Sequence, residues 1–377
     1  MANIHDYLLW RGDLTLEREP LQGVDALALS CLAYYSFHNI LELQTHIPCS
    51  IEAAAKKAEK LSKEERRMRV PEDYELLQLM GTVPRFRDME LYYYVAHSDL
   101  DREEQFSAVT ISLGDGSIFV SFRGTDSTLI GWKEDLNMTI MEQVPAQVSA
   151  TEYLNHMAET HQGDIRVGGQ SKGGNLAIYA AAHVPECTQN RILRVYNFDG
   201  PGFHESVIQS DGYQRVLPRI HSYVPQSSII GRVMEHGCAY NIIYSTQFGI
   251  FQHNPYSWEI MRNDFVRLER QTEDSKRFNE NLRYWMGKLS VEQREKLIDT
   301  VYLLLVKSPI NEQGYIIFSP RGITEAMQSF RDESEEVTNI LIKGFNVIMD
   351  ALAGYKNSMI DKVVGIVKPE EINGENG

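Results

Sequence analysis

The chain has 377 residues and a formal net charge of −15, and its 43% hydrophobic content is ordinary for a globular protein. The length suits one large α/β domain or a core with an appended part. The surplus of Asp and Glu over Lys and Arg argues against a nucleic-acid-binding surface and against electrostatic docking on anionic membranes.

The sequence also limits where the protein works. The N-terminus has no basic segment followed by an apolar one, so no signal peptide is expected. Apolar runs such as Val301–Val306 are far shorter than the roughly 20 residues that cross a bilayer. The four cysteines are widely spaced, without a C-x-x-C pair, so neither a disulfide framework nor a zinc site is expected. These features predict a cytoplasmic protein with no integral membrane segment.

The N-terminal part contains two helical patterns of different character. Val24–Tyr35 is strongly apolar and predicts a buried helix. Ala53–Arg69 carries charges of both signs and few apolar residues, which favours a solvated helix or connector; a regulatory or partner-binding basic patch is the alternative.

From Phe106 onwards, strands alternate with helices. The strand patterns are Phe106–Leu113, Ser117–Gly124, Ile165–Gly169, Ile192–Phe198, Arg219–Pro225 and Tyr240–Ser245. Helical patterns lie at Thr151–Thr160 and Asn175–Val184. This alternation predicts an α/β fold with a mostly parallel sheet and helices on both faces.

After Trp258 the sequence has a helical texture. Ser290 and Gln293 form a capping-box pattern, and apolar residues follow at helical spacing from Val291 to Leu305 and again from Val337 to Ile348. We therefore predict a core over residues 1–258, a helical extension over 259–366 and a disordered tail over 367–377. The extension is a candidate lid or acyl pocket, with ordinary core packing as the alternative.

The most informative motif is G-x-S-x-G, formed by residues 169–173 between an apolar strand and a small-residue helix. A serine at such a sharp turn adopts a strained backbone, so its neighbours two residues away must be small, as Gly169 and Gly173 are. The turn exposes the hydroxyl of Ser171 beside a helix N-terminus, which favours a developing oxyanion. A glycine-rich turn with an unreactive serine is the alternative. A phosphate-binding loop is not indicated, because Lys172 precedes the second glycine.

A nucleophilic serine needs a base and an acid that orients the base. Asp199 stands at the end of an apolar strand, where parallel sheets place functional side chains; an Asp that caps a turn is the alternative. His253 lies in a loop after the last strand pattern and is the preferred base, with His236 as the alternative. His204 is close to Asp199 in the sequence, and His221 lies within a strand pattern.

The oxyanion hole is predicted from two backbone N–H groups. Thr125 follows a strand upstream of the serine, and Lys172 is the residue directly after it. Arg123 is expected to form a structural ion pair, with Asp135 as the nearby carboxylate. This chemistry requires no metal and no cofactor.

Several segments resemble known families. The segments VSFRGTDSTLIGWKEDLNM and GGQSKGGNLA are similar to the class 3 lipase type of α/β-hydrolase. The segments DYLLWRGDLTL, NFDGPGF, SYVPQSSIIG and QHNPYSW resemble a bacterial family of uncharacterised proteins called Mbeg-like, from about Asn3 to Trp258. The resemblance implies an α/β-hydrolase fold with Ser171 as the nucleophile and Thr125 in the oxyanion hole. Class 3 lipases carry their acid one strand later, where this chain has Gln226–Ser228, so either Asp199 supplies the acid, as in lipases of the pancreatic type, or the triad is incomplete.

Together these observations predict a serine esterase of lipase type that cleaves a small-molecule or lipid carboxylic ester through an acyl-enzyme. A thioesterase, amidase or acyltransferase on the same site is one alternative. A non-catalytic binding protein that retains the fold is the other.

Overall fold

The computed structural model describes residues 2–125, 129–247, 249–272, 277, 280–281, 284–307 and 319–352. Within these residues a nine-stranded sheet has the order β1-β2-β3-β4-β5-β6-β7-β8-β11, and β9 and β10 form a separate pair. The strands are β1 Cys49–Ser50, β2 Glu90–Asp99, β3 Glu104–Ser112, β4 Ile118–Phe122, β5 Ile165–Gln170, β6 Ile192–Phe198, β7 Ile220–Pro225, β8 Tyr240–Ile243, β9 Ile260–Met261, β10 Asp264–Phe265 and β11 Arg267–Leu268.

The centre of the sheet is parallel. Strands β4 to β8 pair in parallel in sequence order, whereas β1 to β4 pair antiparallel and β11 pairs antiparallel with β8. Parallel neighbours place their carboxyl ends at one edge, so every loop that follows these strands begins at that edge. The predicted α/β class with a largely parallel sheet is confirmed.

Helices pack against this sheet and form two buried apolar clusters with it. The helices of this part are α1 Ile4–Arg11, α2 Gly23–Leu32, α3 Ile51–Glu59, α4 Pro71–Met80, α5 Leu129–Asn137, α6 Pro145–Thr160, α7 Lys172–His183, α8 Glu186–Gln189, α9 Glu205–Ile208 and α10 Asp211–Val216. Both α2 and α7 contact β5, but the apolar residues of α2 belong to one cluster and those of α7 to the other. The strands between them are therefore buried on both faces, as parallel strands are.

Two sequence-based expectations about local structure hold only in part. The charged segment Ala53–Arg69 begins in α3 and is mostly exposed or half-buried, but α3 also buries Ala54, Ala55 and Ala58 and packs on α4. Small alanines allow this close packing despite the charges on the other face. Residues 260–268 form β9, β10 and β11 rather than helix, although each of these strands is only two residues long.

The chain divides into two compact units. The first comprises residues 1–247 and 252–271, and the second comprises 248–251 and 272–377. In the second unit, α11 Val291–Lys307, α12 Pro320–Met327 and α13 Glu335–Leu352 are helical, as the pattern in that region predicts. The buried apolar residues of these helices, and of the short turn that follows α12, include Leu297, Ile298, Val301, Leu304, Ile323, Phe330, Leu341 and Phe345.

The start of α11 has the predicted capping box. Ser290 N–H donates to Gln293 Oε1 at 2.9 Å, and Gln293 N–H donates to Ser290 Oγ at 3.3 Å. Val291, at the first helical turn, is exposed rather than part of the apolar stripe. The tail 367–377 lies outside the described residues, and the lid role of the extension and the predicted domain limits stay predictions.

Two further features bear on cellular context. All four cysteines are free thiols. Among the described helices, none is both long enough and apolar enough to cross a membrane.

Candidate active site

The predicted site residues follow neighbouring strands at the carboxyl edge of the parallel sheet. Thr125 comes after β4, Ser171 directly after β5, Asp199 directly after β6 and His253 after β8. Strands β4 to β8 lie side by side in the sheet in the same order as in the sequence. The loops that follow them therefore meet at this edge, although they are far apart in the chain. This edge is where open parallel sheets place ligand-binding and catalytic groups.

Ser171 lies in a strained turn between β5 and α7. Its backbone has φ 60° and ψ −134°, a conformation that L-residues rarely adopt. The turn is tight because a Cβ on Gly169 would lie 2.2 Å from the Gly173 carbonyl carbon, and a Cβ on Gly173 would lie 2.1 Å from the Phe122 oxygen. The two glycines of the motif are therefore steric requirements, as predicted.

Asp199 and His253 form a hydrogen-bonded pair. The Nδ1–H of His253 donates to Asp199 Oδ2 at 2.7 Å, and the carboxylate is almost fully buried. This bond leaves Nε2 of the imidazole as the nitrogen that can accept a proton. Asp199 itself has φ 55°, which Asp tolerates better than most residues.

The segment after β7 supports this carboxylate instead of supplying its own. Ser228 Oγ donates to Asp199 Oδ1 at 2.5 Å, and its oxygen also accepts from the Gly231 N–H at 3.1 Å. A Cβ on Gly231 would lie 2.2 Å from Asp199 Oδ1, so the chain passes directly over the acid. The position where the class 3 resemblance leads one to expect an acid thus holds a hydroxyl that binds the acid of the preceding strand.

The serine and the histidine are not joined in this arrangement. Among the described contacts, no hydrogen bond links Ser171 Oγ to His253 Nε2. A Cβ on Gly200, the residue after Asp199, would lie 2.4 Å from the Ser171 carbonyl oxygen, so the loop of the acid runs beside the serine turn.

Lys172 begins α7 and is anchored by a buried ion pair. As the first helical residue, its N–H has no carbonyl partner within the helix. Its ammonium is fully buried and donates to Glu134 Oε2 at 2.8 Å and to the Gln105 carbonyl at 2.8 Å. Glu134 also accepts from the Gln105 and Ala146 N–H groups, which satisfies the buried carboxylate.

Thr125 contacts a carboxyl group that sequence reasoning assigned differently. Its hydroxyl donates to Asp135 Oδ2 at 2.5 Å, whereas Asp135 had been expected to pair with Arg123. Asp135 Oδ1 is buried and has no hydrogen-bond partner among the described residues. Burial raises the pKa of Asp135 to about 6, although Lys172, the Thr125 hydroxyl and His253 each lower it. Asp135 is therefore an additional ionisable group at this edge.

Gln170, the residue before the serine, contacts His253, which the sequence analysis did not predict. Its buried amide nitrogen donates to the His253 carbonyl at 3.0 Å and lies 3.3 Å from His253 Nε2. Its amide oxygen accepts from Tyr34 Oη at 2.7 Å and from Arg69 Nη1 at 2.8 Å. The only sequence signal was the place of Gln170 inside the motif, and nothing in the sequence connected Arg69 to it.

The other three histidines that follow Asp199 in the sequence have contacts elsewhere. His204 Nε2 hydrogen-bonds with the Met138 carbonyl, and the ring of His221 packs on Tyr196. His236 is buried, and burial together with Arg232 lowers its pKa to about 3. None of these three has a described contact with Ser171 or Asp199. Among the residues described, no group of three or more His, Cys, Asp or Glu side chains is arranged to hold a metal ion.

Comparison with known proteins identifies the family. The family model described as Mbeg1-like matches residues 80–303, more than half of the chain. The chain therefore belongs to the Mbeg1-like family. A search of curated proteins finds no match.

Proposed function

We propose that this member of the Mbeg1-like family is a serine hydrolase of lipase or esterase type, built on an α/β-hydrolase fold of the class 3 lipase kind. The observation that carries the proposal is the combination of a strained serine and a formed acid–base pair. Ser171 has φ 60° between β5 and α7. Asp199 in the loop after β6 and His253 in the loop after β8 are hydrogen-bonded at 2.7 Å. Strained backbone at a sheet edge is common at functional sites.

The proposed reaction begins with attack by Ser171 Oγ on the ester carbonyl while His253 Nε2 accepts the hydroxyl proton. Asp199 holds the imidazole through Nδ1–H and stabilises the imidazolium that forms. The N–H groups of Thr125 and Lys172 are assigned to the oxyanion, and His253 returns the proton to the leaving alcohol. Water then attacks the acyl-enzyme with His253 again as the base, which releases the acid and restores Ser171.

The substrate class is part of the proposal. A serine with a histidine base needs no metal or cofactor, and we propose a small-molecule or lipid carboxylic ester as the substrate. A thioester, an amide or acyl transfer to a second alcohol would use the same groups. Turnover of matched oxygen-ester, thioester and amide substrates separates these reactions.

A binding protein that retains the fold is the second candidate, and two observations favour it. Ser171 Oγ has no described hydrogen bond to His253, and Gln226–Ser228 contains no carboxylate. In that case Ser171 would have no more than the reactivity of an ordinary serine.

The test is covalent labelling with a fluorophosphonate probe, followed by mass spectrometry of the modified peptide. We expect labelling at Ser171, its loss in Ser171→Ala, and at least about a 10³-fold slower rate in His253→Ala. His204→Ala is the matched control, since this histidine contacts Met138 and should leave the rate unchanged. Folded wild-type protein that fails to label, or equal rates in both histidine variants, would favour the binding protein.

A further inference from the structure

We propose that Gln170 is a positioning residue that holds His253 in the Nδ1–H tautomer and opposes protonation of its Nε2 before a substrate arrives. This inference rests on the proposed function, because it concerns the base of that reaction. Gln170 precedes the nucleophile in the chain, and its side chain is completely buried.

The orientation of the Gln170 amide is fixed by the groups on its oxygen side. Oε1 accepts from Arg69 Nη1 at 2.8 Å and from Tyr34 Oη at 2.7 Å. A guanidinium group has donors only, so the atom that faces Arg69 must be the amide oxygen. The NH₂ group is then forced towards His253.

That NH₂ group faces the proton-accepting nitrogen of the base. It donates to the His253 carbonyl at 3.0 Å and lies 3.3 Å from His253 Nε2. An amide NH₂ is only a donor, so Nε2 must present its lone pair in this contact. Asp199 holds the proton on Nδ1 at 2.7 Å, and the two contacts thus select the same neutral tautomer.

A rigid network stands behind Gln170. The Arg69 guanidinium lies 3.7 Å from the ring centroid of Tyr34, and Asp73 lies 3.4 Å from Arg69 Nη2. The fully buried Asp73 also accepts from Tyr256 Oη at 2.8 Å. Tyr256 lies three residues after His253, so one network fixes both Gln170 and the segment that carries the base.

The contact has a consequence for proton transfer. When the proton of Ser171 moves to His253, the new Nε2–H would point at the NH₂ of Gln170, and two donors would face each other. The Gln170 contact must therefore lengthen during the reaction. A purely structural glutamine would hold the turn in place without influencing the titration of His253.

The decisive variant is Gln170→Glu, which keeps an acceptor for Arg69 and replaces the opposing NH₂ with a second acceptor. Histidine titrations are followed by NMR on protein labelled in the histidine rings, with His253 assigned by its loss in His253→Asn. We expect the His253 titration midpoint to rise by about one pH unit or more, since a nearby acceptor and negative charge favour the charged imidazole. The pH profile of the fluorophosphonate rate should move in the same direction.

Gln226→Glu is the matched control, because it adds the same charge in a loop whose described amide contacts are to Ser245. It should move the midpoint by less than half as much. Equal midpoints in wild type and Gln170→Glu would overturn the inference. In the wild-type protein alone, ring ¹⁵N shifts that report a proton on Nε2 at neutral pH would also overturn it, so a variant that fails to fold does not block the test.

The two proposals fail in different ways. A protein that is not labelled at Ser171 but shows the expected ¹⁵N shifts and midpoint change would contradict the hydrolase and keep the role of Gln170 in setting the tautomer. A protein that is labelled while neither measurement responds to Gln170→Glu would keep the hydrolase and contradict the role of Gln170.

Discussion

The two residues on either side of Ser171 are held by opposite means. Gln170 is neutral, and its amide is oriented by hydrogen bonds from Tyr34 and Arg69. Lys172 is charged, and its ammonium is buried against Glu134 at 2.8 Å. The glutamine contacts His253, whereas the described partners of the lysine side chain are Glu134 and Gln105.

Under the proposed function, the turn meets two demands. The neutral, directional contact of Gln170 lies at Nε2 of His253, the nitrogen proposed to accept the proton. The buried ion pair of Lys172 fixes the start of α7, whose first N–H group is assigned to the oxyanion in the same proposal. We call Gln170 with Tyr34 and Arg69 the neutral flank, and Lys172 with Glu134 the charged flank. Breaking the neutral flank should therefore change the titration midpoint of His253, and breaking the charged flank should lower the free energy of unfolding.

The largest expected effect comes from the charged flank. Lys172→Met leaves Glu134 buried without its cation, and we expect a loss of about 3–5 kcal/mol in the free energy of unfolding, measured by urea denaturation. The double variant Lys172→Met/Glu134→Gln removes both charges and should recover a large part of that loss. Equal stability of the single variant and the wild type would show that the ion pair does not fix this flank.

The neutral flank should cost less to break. Arg69→Met removes one hydrogen bond to Gln170 and the charge beside Asp73, and we expect a loss of about 2 kcal/mol. Arg69→Lys keeps the charge but lacks the planar group that stacks on Tyr34, so it should recover only part of the free energy of unfolding that Arg69→Met loses. If Arg69→Met destabilised the protein more than Lys172→Met, the buried ion pair of the charged flank would not be the stronger of the two anchors.

The turn between the flanks carries its own strain. Since Ser171 has φ 60°, Ser171→Gly should be about 1 kcal/mol more stable than Ser171→Ala, although both lack the hydroxyl. Thermal denaturation of the two variants side by side measures the difference. If alanine proved equal to glycine, the flanks would not be holding this residue in a strained conformation.

Much of this edge was predictable from the sequence, because local patterns report strands and sharp turns. The alternation of strands and helices predicted the α/β class, and the motif at 169–173 and the apolar run before Asp199 predicted the places of Ser171 and Asp199 at strand ends. The choice of His253 depended only on its place in a loop, yet its ring bonds Asp199 at 2.7 Å.

What the sequence did not reveal are contacts that depend on tertiary packing. Arg69 lies 101 positions before Gln170, in a segment whose charge pattern suggested solvent. Likewise, Ser228 gave no sign that its hydroxyl would bind Asp199. Side chains that meet only after helices pack on the sheet leave no periodic signal, which is why the supporting residues were missed and the strand-end residues were not.

The last effect we predict depends on pH and concerns Asp135, next to Glu134 on the charged flank. Burial raises its pKa from an ordinary value of 3.8 to about 6, so the folded protein holds this proton more tightly than the unfolded chain. The stability that this group contributes is complete below pH 4 and is lost as the pH rises through about 6. Asp135→Asn cannot ionise, and its oxygen can still accept from Thr125. The variant should therefore exceed the wild type by up to about 3 kcal/mol in unfolding free energy at pH 7, and this difference should shrink towards pH 4. Urea unfolding at pH 4, 5, 6 and 7 measures it. A difference that grows as the pH falls would mean that Asp135 is stabilised as a carboxylate, which would contradict this prediction.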